Sequence, residues 1–166
     1  VAAAFYGGAT IAWLESKVGK DGARTSTGRA VSLKVDDRIK ALLLIPENQL
    51  STAKARKLLP ETISHQDAVL NSSRSALLVH ALAERPDLLF TATEDALHQK
   101  YREQAMPKTI ALMEKLRGAG LAAVVSGAGP SVMVLYSGAE DEIDQLQSVA
   151  PGFTAMKLAI AKTGVQ

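Results

Sequence analysis

Two stretches of this sequence have residue types and spacing suited to holding an anion. The first is the turn Ser126-Gly127-Ala128-Gly129-Pro130-Ser131, set between the apolar runs 121–125 and 132–136. Gly127 and Gly129 carry no Cβ, so the backbone there can take positive φ and come close to another surface. Successive N–H groups in such a turn can converge into a nest that holds an anion. Pro130 supplies no N–H, which leaves Ser126, Gly127, Ala128 and Gly129 as the donors. The same residues equally suit a plain tight turn between two core strands. The second stretch is Ser51 to Pro60, a short helical pattern opened by a capping serine and closed by proline. Thr52 and Arg56 are four apart and share a face of it. A hydroxyl and a guanidinium near a helix amino end suit a carboxylate. The alternative is a solvated face, with Leu58 and Leu59 turned inward.

Further along, His98, Tyr101 and Arg102 are close in helical spacing, and Asn71 and Arg74 share another helix face. Each set is either a group of substrate contacts or ordinary polar side chains facing water. Histidines stand only at 65, 80 and 98, with no carboxylate partner at a metal spacing, so no metal site is expected. There is no cysteine, which excludes disulfides, zinc–thiolate sites, iron–sulfur clusters and thiol nucleophiles. A net charge of +2 with interspersed signs, and only 4% aromatic residues, argue against a nucleic-acid partner. No apolar run approaches the length of a membrane span, so no membrane is expected and the chain suits the cytoplasm.

The elements that must position these residues read as follows. A helix ends at Tyr6, before Gly7-Gly8; strands run Ala9–Leu14 and Arg29–Val35, joined by a turn-rich Lys17–Gly22. Asp36-Asp37-Arg38 is a polar break and the candidate domain boundary. Ile39–Ile45 is a central strand stopped by Pro46. Ser64 and Asp67 have the spacing of a capping box, opening a long helix with a stripe through Val69, Leu70, Ser73, Ala76, Leu77 and His80. Short helical turns are expected at 86–90 and 93–97. A helix starting at Met106-Pro107 carries Ile110, Met113 and Leu116 and ends at Gly118 and Gly120. After the Gly-rich hairpin come an acidic helix, 139–149, and a last strand, 153–161. The order is that of an α+β fold, an antiparallel sheet with helices.

The segments Val1-Ala-Ala-Ala with Gly7-Gly8-Ala-Thr-Ile-Ala-Trp13, Ser51-Thr-Ala-Lys-Ala-Arg-Lys-Leu-Leu-Pro60, Ser64-His-Gln-Asp-Ala68 with Asn71 to Arg74, Leu97-His-Gln-Lys-Tyr-Arg102 and Ser126-Gly-Ala-Gly-Pro-Ser131 occur in this order. Together they resemble homoserine kinase of the GHMP small-molecule kinase superfamily, most of all its actinobacterial branch. The last segment resembles the superfamily's third motif. The family's Pro-x-x-x-Gly-Leu-Gly-Ser-Ser-Ala phosphate loop and its amino-terminal motif have no counterpart here. The resemblance therefore implies roughly the carboxyl-terminal half of such an enzyme. Residues 1–36 would be the last strands of a ribosomal-S5-like, ATP-binding domain, and 37–166 a ferredoxin-like carboxyl-terminal domain.

The resemblance further implies transfer of the ATP γ-phosphoryl group to the side-chain hydroxyl of L-homoserine, in threonine biosynthesis. Thr52, Arg56 and Arg102 would bind the substrate carboxylate. Ser126, Gly127, Ala128 and Gly129 would back the phosphate loop, and Asn71, Arg74 and His98 would lie on the substrate side. ATP and magnesium would serve the intact enzyme, with the magnesium ligands in the missing amino-terminal half. This chain alone is expected to bind neither and to be inactive, and no catalytic base is expected within it. A homodimer is compatible with the resemblance. Gly129→Val is expected to cut turnover while leaving the protein folded. Two alternatives remain: another superfamily kinase acting on a mevalonate-type or sugar substrate, and a non-enzymatic ferredoxin-like binding module.

Overall fold

The computed structural model describes residues 6–19, 22–48, 50–138, 143 and 150–164. By contact the chain divides into two units: 1–35 with 160–166, and 36–159. The division falls at the polar break. Residues 160–166, expected to run with the second domain, group by contact with the first. A hydrogen bond of 2.6 Å from Gly8 N–H to the Ala161 carbonyl ties the two stretches together.

In the first unit, β1 (Ala9–Val18) and β2 (Arg24–Leu33) form an antiparallel ribbon, in register from Ala9↔Leu33 to Val18↔Arg24. Both strands reach closer to the hairpin connection than their apolar runs suggest. Polar cross-strand pairs extend them: Arg29 donates through Nε and Nη2 to Glu15 Oε2, and the Ser16 and Ser26 hydroxyls meet at 3.1 Å. The helical end expected over 1–6 lies outside the described residues, apart from Tyr6.

The second unit is built on a four-stranded sheet of β3 (Ile39–Pro46), β4 (Ala122–Val125), β5 (Val132–Ser137) and β6 (Phe153–Ala159). Its order is β4-β5-β3-β6, with every neighbouring pair antiparallel. This is the strand arrangement of a split β-α-β, ferredoxin-like fold. β3 is central because nearly every residue in it is apolar, so it can be covered on both faces; Leu42 and Leu44 are fully buried. Between β3 and β4 run α1 (Thr52–Lys57), α2 (His65–Ala83), a 3-10 turn at Pro86–Leu88, α3 (Leu89–Ala92), a 3-10 stretch at Lys100–Ala105, and α4 (Pro107–Gly118). α4 begins with proline in its first turn and buries Thr109, Ile110, Leu112, Met113 and Leu116. Its apolar face packs on Leu42, Leu44, Val132 and Val134 in one core, joined by Ile143. The acidic helix expected over 139–149 otherwise lies outside the described residues.

α2 departs from its expected orientation. Ser64 Oγ does accept from Asp67 N–H at 3.0 Å, but the Asp67 carboxylate turns to Lys100 Nζ at 3.2 Å. The inward face carries Asp67, Leu70, Asn71, Arg74, Leu77, Leu78 and Ala81, which recur at helical spacing, while Val69, Ser73, Ala76 and His80 are exposed. Counting apolar residues alone rotates the helix, because Asn71 and Arg74 also face inward and hydrogen bonds offset their desolvation. Asn71 Oδ1 accepts from Ala96 N–H at 3.0 Å, and Arg74 Nε donates to Glu94 Oε2 at 2.7 Å.

Candidate functional site

The stretch from Asp95 to Arg102 and the turn after β4 come together in the second unit. The helical turn expected over 93–97 does not form: the chain leaves α3 at Thr93 and bends over 96–98, organised by one carboxylate. Asp95 accepts from His98 N–H at 2.9 Å and Gln99 N–H at 2.6 Å, and its Oδ1 lies 2.9 Å from His98 Nδ1. Burial pushes the Asp95 carboxyl up, but the N–H of Gln99, the His98 ring and the N–H of His98 outweigh it. Its pKa therefore lies below the ordinary aspartate value. A carboxylate depressed on folding contributes stability that is present above its unfolded pKa and lost as pH falls through the folded one. Wild-type protein should therefore lose more stability than Asp95→Asn on acidification below about pH 4, the ordinary aspartate range. Urea unfolding at a series of acid pH values checks this; parallel curves for the two proteins would disprove it.

From that start the chain enters the 3-10 stretch. Gln99 Oε1 accepts from Val125 N–H at 2.6 Å, and three residues on Arg102 Nη1 donates to the Gly127 carbonyl at 2.9 Å. Arg102 is only 7% exposed, and its Nε is buried with no hydrogen-bond partner among the described residues. Within that set Nη1 is the only guanidinium nitrogen that is hydrogen-bonded. Nη2 likewise makes no hydrogen bond with the described residues and, unlike Nε, is not enclosed, so it is the nitrogen an arriving acceptor can reach.

The turn itself offers fewer donors than its composition suggests. Ser126 N–H donates to Ser131 O at 2.8 Å and Gly129 N–H to Ser126 O at 3.0 Å, both within the hairpin. The N–H groups of Gly127 and Ala128 find no acceptor among the described residues. Gly127 has φ 60° and nothing within 4 Å of where a Cβ would stand. Gly129 has φ 85°, and a Cβ there would lie 2.5 Å from Met106 Sδ and 3.1 Å from Val125 Cγ1. The space beside Gly129 is therefore occupied by the unit's own core, and only Gly127 stands open. Thr109 Oγ1 anchors the far side by donating to Pro130 O at 2.7 Å.

The other expected site residues divide. Thr52 and Arg56 lie exposed on α1, where only Ala55 is buried, and their side chains make no hydrogen bond or ion pair with the described residues. Ser51 occupies the N-cap position but its side chain makes no capping bond. No hydrogen bond among the described residues joins α1 to Arg102. Asn71 and Arg74 hold the 94–96 segment, and His98 is paired with Asp95. Gln99 and Asp95 were not singled out from the sequence. The only available signal was their place in or beside the Leu97–Arg102 segment, since a lone glutamine or aspartate has no periodicity to betray it. Among the described residues no group of three or more His, Asp or Glu is arranged to hold a metal ion, and no helix is long and apolar enough to cross a membrane.

Residues 73–151 match the family described as GHMP kinases C terminal. Homoserine kinase from Streptomyces coelicolor is 42% identical over 99% of this chain and 50% of its own length. That from Clavibacter michiganensis is 45% identical over 99% and 50%, and that from Leifsonia xyli 53% over 82% and 40%. The chain thus spans about half the length of the curated relatives it matches. The crystal structure of homoserine kinase from Cytophaga hutchinsonii superposes with a TM-score of 0.72, covering 82% of this chain and 46% of that one. At 23% identity this is a likeness of fold. Residues 73–151, all within or beside the antiparallel sheet and its helices, are thus similar to the C-terminal domain of GHMP kinases.

Proposed function

We propose that this chain is the carboxyl-terminal part of a cytoplasmic homoserine kinase of the threonine pathway, which transfers the ATP γ-phosphoryl group to the side-chain hydroxyl of L-homoserine. The observation that carries this is the likeness, along nearly the whole chain, to actinobacterial relatives named homoserine kinase. Arg102 is the local feature it explains. Its guanidinium is buried, but Nη2 is unbonded among the described residues and not enclosed, so it can meet an arriving acceptor, and an amino-acid substrate brings a carboxylate. In this reading Arg102, with Thr52 and Arg56, receives the carboxylate of homoserine. The unused N–H groups of Gly127 and Ala128 back the phosphate loop. Asn71, Arg74 and His98 act behind these, holding the 94–98 segment. Phosphoryl transfer needs positioning and charge neutralisation more than covalent help, so no base from this chain is required. Magnesium, when bound, neutralises charge on the phosphates; its ligands and most nucleotide contacts lie in the amino-terminal half.

The reading frame upstream of Val1 and a coupled assay test this. A Gly-Leu-Gly-Ser-Ser loop should lie upstream in frame, and the full-length protein should release ADP on L-homoserine but not on mevalonate. The 166-residue chain by itself should give no binding heat with Mg-ATP and no turnover. Turnover of a sugar or mevalonate in place of homoserine would overturn the assignment, and micromolar ATP binding by this chain would overturn the placing of the nucleotide site in the amino-terminal half.

A further inference from the structure

The outer edge of β4 and the turn that follows present a row of alternate backbone groups: the Ala123 carbonyl, the Val125 N–H and the Gly127 carbonyl. β4 is an edge strand, and Ser126 N–H bonds back to Ser131 at the start of the β5 arm, so the odd-numbered groups face away from the sheet. Unpaired edge groups of this kind are usually covered by some device. Here each is met by a side chain: Arg117 Nη1 donates to Ala123 O at 3.2 Å, Gln99 accepts from Val125, and Arg102 donates to Gly127. Gln99 is the residue that opens the 3-10 stretch Lys100–Ala105. In a 3-10 helix residues i and i+3 eclipse, so Gln99 and Arg102 present to the same edge, two residues apart along it. Asp95, gripping Gln99 N–H, fixes where that stretch begins.

We propose that Gln99 is a positioning residue for the substrate carboxylate. Its 2.6 Å bond to Val125 sets the separation between the 3-10 stretch and the strand edge. That separation places the Arg102 guanidinium with Nη1 on Gly127 and Nη2 turned to the ligand. The Gln99 amide does not itself touch substrate. The inference rests on the reading of the protein as a homoserine kinase, in which Arg102 meets the carboxylate. A glutamine that merely covers an exposed strand edge would lower the unfolding midpoint and the active fraction but leave both Michaelis constants alone.

The test uses three variants of the full-length kinase with steady-state kinetics in both substrates. Gln99→Met has similar length and no acceptor for Val125 N–H. Gln99→Asn keeps the amide but withdraws it by one methylene, which keeps the test alive should the methionine variant not fold. Gln99→Glu retains an acceptor oxygen at the same reach. The Met and Asn variants should raise the homoserine KM about tenfold, since misplacing a binding group by an ångström or less is felt strongly, with the ATP KM within about twofold. Gln99→Glu should recover to within about threefold of wild type. Adding Gln99→Met to Arg102→Lys should cost less than the product of the two, because both act through one guanidinium. Unchanged homoserine KM in the Met and Asn variants, or a lowered unfolding midpoint with both KM values intact, overturns the proposal. A wild-type enzyme with no homoserine-dependent ADP release instead overturns the parent reading, and is recognised before any variant is made.

Discussion

Arg102→Lys in the full-length kinase should raise the homoserine KM roughly ten- to hundredfold and leave the ATP KM nearly unchanged. The guanidinium is already committed on one side, with Nη1 on the Gly127 carbonyl at 2.9 Å. Nη2 remains to donate a charge-assisted bond to a carboxylate. A lysine ammonium is a point charge on a flexible stem and cannot hold a planar carboxylate and the Gly127 carbonyl in the same fork geometry. The formal charge is kept, so long-range steering should change little. What is lost is charge-assisted bonding worth about 1.5–3 kcal/mol, and at about 1.4 kcal/mol per decade this gives the stated range. A contact equal in ground and transition states appears in KM, with kcat little affected. Arg56→Lys should act in the same direction and Thr52→Val more mildly, and the two arginine variants should combine to less than their sum if they share a ligand. Arg102 touches the turn assigned to the phosphate side, which makes the opposite outcome informative. A raised ATP KM with homoserine binding intact would move Arg102 from the carboxylate to the phosphates.

The parts of this structure legible in the sequence are those where one physical demand dominates. Ile39–Ile45 reads as a central strand because its residues are apolar on both faces, and two antiparallel neighbours do flank it. Pro107, Gly118 and Gly120 punctuate α4 through restrictions on single residues, and Gly120 does take a φ of 84°. The turn at 126–131 was visible for the same reason. What was not legible depends on partners distant in sequence. The face of α2 is chosen by Asn71 and Arg74, whose donor and acceptor respectively lie 25 and 20 residues away, and no periodicity of apolar residues reveals that. The stretch 93–97 carries helix-compatible residues, yet Asp95 captures the N–H groups of His98 and Gln99 and bends the chain instead. The candidate site was half visible: Arg102 stands out as an arginine beside tyrosine, but its burial, and the glutamine that sets its distance from β4, appear only when the 3-10 stretch is laid against the sheet edge.

Gly129→Val should cost the protein its stability before it costs any catalytic step. From the sequence alone, a side chain at Gly129 would be expected to reach toward the phosphate loop and leave the fold intact. The structure reverses that direction: the Cβ points at Met106 Sδ, 2.5 Å away, and at Val125 Cγ1, 3.1 Å away. Met106 is a core residue and is 4% exposed, so it has little room to withdraw. Two costs therefore add. A β-branched residue at φ 85° is strained by about 1–3 kcal/mol, and overpacking a filled core costs about 1–3 kcal/mol more. Against a total stability of about 5–15 kcal/mol, such a loss is a large fraction of the whole. Gly127→Ala is the control: its φ is also positive, but nothing lies within 4 Å, so only the backbone term of about 1–2 kcal/mol applies. Thermal unfolding of the full-length protein should show Gly129→Val melting about 5–10 °C below wild type and Gly127→Ala only a few degrees below. Repacking offers a further check, since Met106→Ala removes the atom the valine strikes and should restore part of the loss in the double variant, while opening a cavity elsewhere. If Gly129→Val instead melts with wild type while turnover collapses, the glycine is needed where the phosphate loop approaches, and the core contact with Met106 is not what fixes it.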